Sequence, residues 1–533
     1  MHTKGLKKAI FLQGSITSIA IVITLVLLAA FLVPFVYAIS PLWQDTQSSI
    51  KINFGHLLKT TIFTIQVAFT STIIALIVAI PCAFFCAKRT FFGKKILLSL
   101  SAIPLCLPPL LMALGFVLVF GMQGYYNKFL EGIFTLDDSP LQFLYSFWGI
   151  ALAQGFYNFP LIMKTVCDTW QRLPQDQANA ARLLGANEKR IFCTVTIHQL
   201  LPAIVSSCAL VFLYCFFGFL IVLLFGLVGT TTLEVEIYKA ARGSLNFKQA
   251  AFLALFETII ALGLVFIWLK LEKNAKKNTG LAFGTDANIA KKIHVKESPF
   301  FAITMLIVTL GLLFPLFAIL IEACSGNSFA KILARDSFWK SIFTTIKIGI
   351  ASAGLSTITA TVVSLFVKKI DPFSTKTIFR LIPLLPMAVS SVVLGFGLII
   401  LFSRSNPVVL VFAQASLAWP FAFKQISTRL DKIPHATLES SRILSYNRLD
   451  TIFRVQIPMC KQAIISAFAF CFAISCGDAV LPLVLAIPRF DTLALYTYRL
   501  ASAYRFNEAC ASGIILLALT AGIFYWNKND DTF

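Results

Sequence analysis

Apolar runs of about twenty residues recur along this chain from one end to the other, and each is long enough to cross a hydrocarbon core of about 30 Å as a helix. The 533 residues are 58% hydrophobic and 13% charged, whereas a soluble domain carries about a quarter charged residues. The mean hydropathy is +0.83. The chain is therefore predicted to be an all-α polytopic membrane protein.

The hydrophobic pattern predicts about twelve transmembrane helices, six on either side of a charged linker. The first run follows Lys4, Lys7 and Lys8 in the manner of a signal peptide. It is too long for the apolar region of a signal peptide, so it is interpreted as a retained span. The predicted spans lie near residues 16–39, 60–87, 96–120, 147–167, 200–228, 248–270, 300–324, 342–367, 381–403, 408–425, 459–486 and 510–526.

The distribution of basic residues predicts the orientation of these spans. The formal net charge of +21 would indicate a nucleic-acid partner in a soluble protein, but the positive-inside rule accounts for it in a membrane protein. Lysines and arginines cluster at 88–95, at 368–380 and in the linker 271–299. These segments are predicted to be cytoplasmic, and an even number of spans puts both termini on the same side.

The chain contains an internal repeat. Pro160 and Pro420 are 260 positions apart, whereas earlier in each half the offset is 281, as between Lys59 and Lys340. The offset of 260 holds over about ninety residues, through Pro174/Pro434, Arg182/Arg442, Leu184/Leu444, Asn187/Asn447 and Ala251/Ala511. The sequence therefore predicts two parallel six-helix repeats, 1–270 and 300–533, joined by the Lys-rich linker 271–299. In transporters, parallel repeats place the substrate path at their interface.

A charged segment between two spans occurs in both halves, at 178–202 and at 438–458. Ala178 to Leu184 is rich in helix-forming residues, and Gly185 can adopt the left-handed conformation that ends a helix. The expected shape is a helix-turn-helix on the cytoplasmic face. Such a loop could merely anchor the bundle at the membrane surface, but its repetition favours docking of a two-fold symmetric partner.

This segment resembles the EAA loop of ABC importer permeases, whose pattern is E-A-A-x-x-x-G, nine residues, then I-x-L-P. The first half matches it at Ala180, Ala181, Gly185, Val195 and Ile197, and departs from it at Asn179 and His198. The second half matches it at Glu439, Val455, Ile457 and Pro458, and departs from it at Ser440, Ser441 and Ser445.

The resemblance covers nearly the whole chain, as two fused permease domains, and implies an importer in the inner membrane of a bacterium. In this family the helix of the loop docks in a groove of a cytoplasmic ATPase subunit. The family implies two copies of that ATPase and an extracytoplasmic solute-binding protein. It also implies that the permease binds no cofactor itself, because ATP and magnesium are held by the ATPase.

The fused layout is similar to that of thiamine and ferric-iron importer permeases. The stretches 118–130 and 231–257 look most like thiamine transporter permeases. This likeness implies that the cargo is thiamine or one of its phosphate esters, with ferric iron or another small solute as the alternative. No residue in the sequence by itself identifies a thiazolium or pyrimidine ring.

Ionisable groups at membrane depth are candidates for the translocation path. Asp478 lies in a Gly-Asp pair that recurs in the related permeases. Its carboxylate could attract a cationic cargo. Alternatively, the pair could form a helix-breaking turn whose polar groups are satisfied by local hydrogen bonds. Trp148 and Tyr157 could stack on an aromatic cargo, with core packing or an interfacial belt as the alternative. Glu257 and Lys347 are interpreted as snorkelling from the ends of their spans.

Two outer loops occupy equivalent positions in the halves. Thr232 and Tyr238 of the first half correspond to Thr492 and Tyr498 of the second. These loops are predicted to face the binding protein, and a re-entrant gate is an alternative that is compatible with this role.

The motifs of an ATP-hydrolysing enzyme or a metalloenzyme are missing. The sequence contains no G-x-x-x-x-G-K-[ST] phosphate loop and no H-E-x-x-H helix, and its five histidines are dispersed. ATP hydrolysis is therefore expected on a separate subunit. A proton-coupled secondary transporter is the alternative from another class, since it too has two parallel halves. A secondary transporter would need more ionisable groups within the membrane than this sequence has. Its mechanism does not require a repeated EAA-like loop.

Overall fold

The computed structural model of the chain is built almost entirely of helices. It describes residues 29, 31–43, 54–94, 97–98, 107–134, 142–174, 176–226, 231–279, 291–292, 298–370, 382–402, 406–445 and 448–528. Most of the first predicted span, 16–39, lies outside the described residues.

The first half consists of long helices joined by shorter helical segments. Its α-helices are Phe31–Leu42 with a 3-10 end at Ser40–Leu42, then Phe54–Lys88, Pro109–Phe120, Tyr125–Phe134, Phe147–Gln171, Asp176–Leu183, Glu188–Ile191, Ile197–Phe216, Leu220–Phe225, Leu233–Tyr238 and Phe247–Thr279. A 3-10 turn spans Phe143–Tyr145, and π-helical segments span Phe192–Thr196 and Lys239–Gly243.

The second half follows the same order. Its α-helices are Ser298–Val308, Phe314–Cys324, Ser328–Leu333, Asp336–Ile370, Ser391–Leu401, Pro407–Asp431, His435–Leu444, Arg448–Thr451, Ile457–Gly477, Val480–Leu485, Leu493–Ser502 and Phe506–Lys528. Segments of 3-10 helix span Ser325–Asn327 and Ile382–Ala388, and π-helical segments span Thr309–Leu313 and Ile452–Gln456.

The predicted transmembrane character is confirmed. Within the described residues, nine helices are long and apolar enough to cross a membrane. The 25-residue helix Phe147–Gln171 and the shorter apolar helices Phe31–Leu42 and Ser391–Leu401 complete the set. Together they supply one element for each of the twelve predicted spans.

Three predicted spans are not continuous helices. The span at 200–228 stops at Phe216 and resumes as Leu220–Phe225, and the span at 459–486 stops at Gly477 and resumes as Val480–Leu485. The span at 381–403 begins as a 3-10 segment. Glycine is a poor helix former, and a carboxylate beside a helix start satisfies its free N–H groups. Hydrophobicity alone does not reveal such breaks, because the residues on either side are equally apolar.

Small residues allow the helices within each half to pack closely. Helix Phe54–Lys88 lies along Phe147–Gln171, and Asp336–Ile370 lies along Pro407–Asp431. At Gly155 an added Cβ would come within 2.8 Å of the Ile74 side chain. Without a hydrophobic driving force between helices in lipid, such close van der Waals contact is what holds the helices together.

Buried hydrogen bonds recur at the predicted offsets. The Ser71 hydroxyl donates to Gln154 Oε1 at 3.1 Å, and the Ser352 hydroxyl donates to Gln414 Oε1 at 3.3 Å. Likewise, the backbone N–H groups that begin the two outer helices donate to threonine hydroxyls, Leu233 to Thr64 at 3.1 Å and Leu493 to Thr345 at 2.7 Å. The sequence repeat is therefore a repeat of packing and of polar contacts.

The linker returns to the first half. Helix Phe247–Thr279 continues beyond residue 270, where the first repeat was predicted to end. Lys291–Lys292 then forms a short parallel bridge with Arg89–Thr90, at the end of helix Phe54–Lys88. This bridge joins two of the basic segments that were predicted to lie on the cytoplasmic side.

Candidate functional site

A cavity of about 340 Å³ lies between the two halves and is lined by residues from both. Its wall includes the interruptions in the spans at Gly218 and at Asp478. Aromatic side chains contribute from each half, namely Tyr157, Tyr214, Phe217, Phe421 and Phe470. Its polar groups include Gln154, Glu234, Ser390, Gln414 and Asp478. Its volume falls within the range of small-molecule sites.

The charged groups of the cavity wall are acidic. Glu234 comes from the first half and Asp478 from the second, and no Lys, Arg or His of the described residues lines the cavity. A low-dielectric cleft with charges of one sign concentrates ligands of the opposite sign. The cavity therefore suits a cationic, partly aromatic small molecule.

Asp478 lines the cavity and also stabilises the break in its span. Its Oδ1 accepts hydrogen bonds from the backbone N–H groups of Val480 at 2.9 Å and Leu481 at 3.4 Å. Its Oδ2 accepts one from Gln414 Nε2 at 3.4 Å. Asp478 thus lies where it could attract a cationic cargo, and it also forms the helix-breaking turn. Much of its capacity to accept hydrogen bonds is used within the protein.

The two aromatic candidates for the path lie in different places. Tyr157 lines the cavity, and its hydroxyl donates to the Leu107 carbonyl at 3.0 Å. Trp148 is 59% exposed, packs edge-on against Phe147 and lies outside the cavity lining. The position of Trp148 fits packing or an interfacial belt rather than contact with cargo.

A pair of buried glutamates was not identified from the sequence. Glu234 is 1% exposed, and Glu257 is 0% exposed, so the snorkelling interpretation of Glu257 is wrong. The two carboxyl groups lie close enough to interact with each other. A comparison of the halves could have identified them, because the offset of 260 puts Ala494 and Leu517 at the equivalent positions.

The outer loops contain the starts of short helices. Thr232 and Thr492 are 1% and 2% exposed, and the Thr492 hydroxyl accepts a hydrogen bond from the Leu495 N–H at 3.3 Å, so it caps helix Leu493–Ser502. These threonines are therefore not positioned to touch a protein in solution.

The tyrosines of the outer loops lie where the halves meet. Tyr238 and Tyr498 are half-buried and near each other. Arg242 Nε donates to the Val484 carbonyl at 2.7 Å, which joins the first half to the second. This arrangement suits the gate interpretation of the outer loops.

The first loop, Asp176–Ile191, is a helix-turn-helix as predicted. The Gly185 N–H donates to the Arg182 carbonyl at 2.9 Å and the Ala186 N–H donates to the Ala181 carbonyl at 3.0 Å, a Schellman ending. Gly185 has φ of +83°, and an added Cβ would meet no atom within 4 Å. The glycine is therefore required for its backbone conformation rather than for space.

Charged side chains connect the two helices of the first loop. Arg182 donates to both Glu188 oxygens, at 2.7 and 3.1 Å, and to Asn179 Oδ1 at 2.8 Å. The hydrogen bonds to Glu188 raise the pKa of the Arg182 guanidinium. Asn179, which departs from the EAA pattern, thus supports this arginine. His198, the other departure, is exposed in helix Ile197–Phe216.

The second loop, His435–Thr451, ends its first helix in a different way. Ser445 has φ of −91° and ψ of 139° instead of a left-handed conformation. Its hydroxyl donates to the Ser441 carbonyl at 2.5 Å and accepts from Thr451 Oγ1 at 3.0 Å. Glu439 and Ser440 are exposed on this helix. Pro458 lies in the first turn of the following span, Ile457–Gly477.

Each loop presents a pair of large apolar side chains to solvent. Leu183 and Leu184 are both 89% exposed, and Ile443 and Leu444 are 85% and 86% exposed. The two pairs are 260 positions apart. Exposed apolar residues that repeat at equivalent positions mark an interaction surface. Only the correspondence of Leu184 with Leu444 was noted from the sequence.

A π-helical segment joins each loop to the span that follows. These segments, Phe192–Thr196 and Ile452–Gln456, are 260 positions apart. A π segment is uncommon and often occurs at functional sites. Its recurrence in both halves places a non-standard turn between each loop and the membrane-spanning helix.

The described residues contain no group of three or more His, Cys, Asp or Glu side chains that could hold a metal ion.

Comparison with known proteins shows what the chain is similar to. Residues 79–271 match the family described as binding-protein-dependent transport system inner membrane component. The thiamine transport system permease protein of Escherichia coli K12 is 27% identical over 497 residues, 90% of this chain and 89% of the relative. That of Salmonella typhimurium is 27% identical over 521 residues, 95% of this chain and 94% of the relative.

A candidate 2-aminoethylphosphonate transport system permease protein of Salmonella typhi is 29% identical over 205 residues, which is 38% of this chain and 71% of that protein. These similarities agree with the twelve helical elements and with the repeated loops, and they confirm the predicted resemblance. Over most of its length the chain is similar to inner-membrane permeases of binding-protein-dependent transport systems.

Proposed function

We propose that this chain is the membrane-spanning permease of an ATP-driven importer that takes up thiamine or its phosphate esters. The observation that carries the proposal is the similarity, over 90% of the chain, to a protein named for thiamine transport. The cavity between the halves supports it, because aromatic side chains and acidic groups together suit a ring-containing cation.

The ATPase partner docks on the two cytoplasmic loops. Two copies are expected, one at each loop, and they hold ATP and magnesium, while the permease itself binds no cofactor. The docking surface includes the exposed pairs Leu183/Leu184 and Ile443/Leu444, together with the EAA-like positions Asn179, Ala180, Ala181, Gly185, Glu439, Ser440, Ser441, Ser445 and Pro458. Apolar side chains of this kind are typical of a helix that docks in a groove.

Closure of the ATPase pair moves the spans through the π segments and changes access to the cavity. A binding protein delivers the cargo at the outer face, where Tyr238, Tyr498 and the Arg242 contact to Val484 form the junction of the halves. This arrangement assigns 1–270 and 300–533 to the two permease repeats and 271–299 to a cytoplasmic linker. Both termini are then cytoplasmic in a bacterial inner membrane.

Other cargoes have weaker support. Ferric iron, a hard cation, would be favoured by a cluster of carboxylate ligands, and the described residues contain no group of three or more His, Cys, Asp or Glu side chains that could hold a metal ion. An anionic phosphonate would be favoured by basic groups at the cavity, whereas the charged groups that line it are acidic.

Uptake in vesicles tests the proposal. The chain is reconstituted with its ATPase and binding protein, and labelled thiamine is supplied outside with ATP inside. ATP-dependent accumulation is expected, and a proton gradient alone is expected to drive none. Uptake that needs no ATPase would instead establish a secondary transporter. Accumulation of ferric iron without thiamine would overturn the choice of cargo.

A further inference from the structure

The buried pair Glu234 and Glu257 is an unusual feature in a membrane-spanning bundle. Glu234 lies on helix Leu233–Tyr238 and Glu257 on helix Phe247–Thr279. Neither Glu257 oxygen has a hydrogen-bond partner among the described residues, and neither does Glu234 Oε2. Burial of a polar group without a partner is costly, so the pair calls for a functional explanation.

The two carboxyl groups cannot both be ionised in this position. They interact with each other, and none of the ion pairs of the described residues includes either of them. Two neighbouring carboxylates in a low-dielectric site retain one proton between them. The pair therefore retains at least one proton, with Glu257 behind and Glu234 at the cavity wall.

The architecture of the bundle does not require these carboxyl groups. At the equivalent positions the second half has Ala494 and Leu517, on helices Leu493–Ser502 and Phe506–Lys528. Both of those helices form with the same order and packing. The glutamates thus occur in only one of the two halves. The fold forms without them in the other half, so it does not account for the energetic cost of burying these carboxyl groups.

Glu234 has more free acceptor capacity than the other acidic residue of the cavity. Asp478 accepts three hydrogen bonds, two of them from the backbone N–H groups that begin helix Val480–Leu485. Glu234 Oε2 accepts none from the described residues, although the Glu234 carboxyl group lies close enough to Ser390 and Glu257 to interact with both. A ligand cation that enters the cavity would therefore find a carboxyl oxygen with free acceptor capacity on the first half, in a cavity whose wall also holds Tyr157 and Tyr214.

We propose that Glu234, supported by Glu257, is the cation-recognising subsite of the central cavity. The cationic ring of the cargo pairs with the Glu234 carboxylate and packs against the aromatic wall. Glu257 retains the shared proton and so prevents a second buried charge. This inference rests on the proposed function, since thiamine carries a permanent positive charge on its thiazolium ring.

The test uses the complete importer in vesicles and measures thiamine uptake against binding-protein concentration. Glu234→Gln is expected to reduce the maximal uptake at least about tenfold. The double variant E234A/E257L reproduces the residues of the second half and is expected to fold and to assemble with the ATPase, but to lose uptake to the same extent.

Glu236→Gln is the matched control. Glu236 lies on the same helix but pairs with His56 at 3.8 Å instead of lining the cavity, so its loss is expected to leave uptake within about twofold. Wild-type rates for E234Q and for the double variant would overturn the subsite. Absence of thiamine uptake by the wild-type importer would overturn the proposed function instead, so the two failures are distinguishable.

Discussion

The two EAA-like loops reach a similar shape by different chemistry. In the first, Gly185 adopts a left-handed conformation and Arg182 bridges to Glu188. In the second, Ser445 stays in an extended conformation, and its hydroxyl connects Ser441 to Thr451. The glycine of the EAA pattern is therefore one of two ways to end this helix. What the loops share is the exposed apolar pair at the end of the first helix.

The largest effect is expected from those apolar pairs. Replacing Leu183 and Leu184 by Asp should weaken ATPase binding by about 2 kcal/mol or more, because exposed anchors of this size carry most of the energy of a docked helix. That corresponds to at least about thirtyfold in Kd. The matched change at Ile443 and Leu444 should have a similar effect.

Surface plasmon resonance with the purified permease in nanodiscs would give the affinity of each double variant for the ATPase. Equal and unimpaired binding by the two double variants would refute the assignment of these pairs. A large effect in only one loop would establish that the two docking sites are unequal.

A smaller effect is expected when the turn of each loop is altered. Gly185→Pro forces φ to about −65°, far from the observed +83°, and removes the N–H that donates to the Arg182 carbonyl. We expect about tenfold weaker ATPase binding with normal membrane insertion. Glu439→Lys reverses an exposed charge on the second loop, and its smaller loss should depend on salt concentration. Pull-down of the ATPase at normal yield by both variants would contradict the coupling role.

The smallest effect is expected from the side chains that brace each loop. Arg182→Ala removes an exposed ion pair that contributes about 0.2–1 kcal/mol, so ATPase binding should weaken a few-fold at low salt and hardly at all at high salt. Ser445→Ala removes hydrogen bonds between neutral groups, and its effect should not vary with salt. Measuring ATPase binding by both variants at increasing salt concentration compares the ion pair of the first loop with the hydroxyl hydrogen bonds of the second. The same salt dependence for both variants would argue against the observed contacts.

Much of the fold followed from hydrophobic periodicity and from the repeat. The offset of 260 that relates Thr232 to Thr492 also relates Leu233 to Leu493. These leucines begin equivalent helices, and both donate to a threonine hydroxyl of the neighbouring helix. The break at Asp478 was one of the two interpretations of the Gly-Asp pair. The break at Gly218 did not follow, because hydropathy does not register where a helix ends within an apolar run.

The site was predictable only in part. Asp478 and Tyr157 were identified as polar or aromatic groups at membrane depth, and both line the cavity. Glu257 was misinterpreted because its depth in the bundle depends on the tertiary packing of helix Phe247–Thr279, which the sequence of one helix does not determine. Trp148 lies outside the cavity for the same reason: periodicity places a residue on a helix, but the neighbouring helices decide which face is internal.

The four exposed apolar side chains of the loops have a consequence for the cell. Under the proposed docking, a permease without its ATPase presents two apolar patches to the cytosol. Exposed apolar patches lead to aggregation and to degradation of unassembled subunits by proteases. Synthesis of the two subunits must therefore be matched. The surface that couples ATP hydrolysis to transport would then also act as the signal by which an unassembled permease is removed.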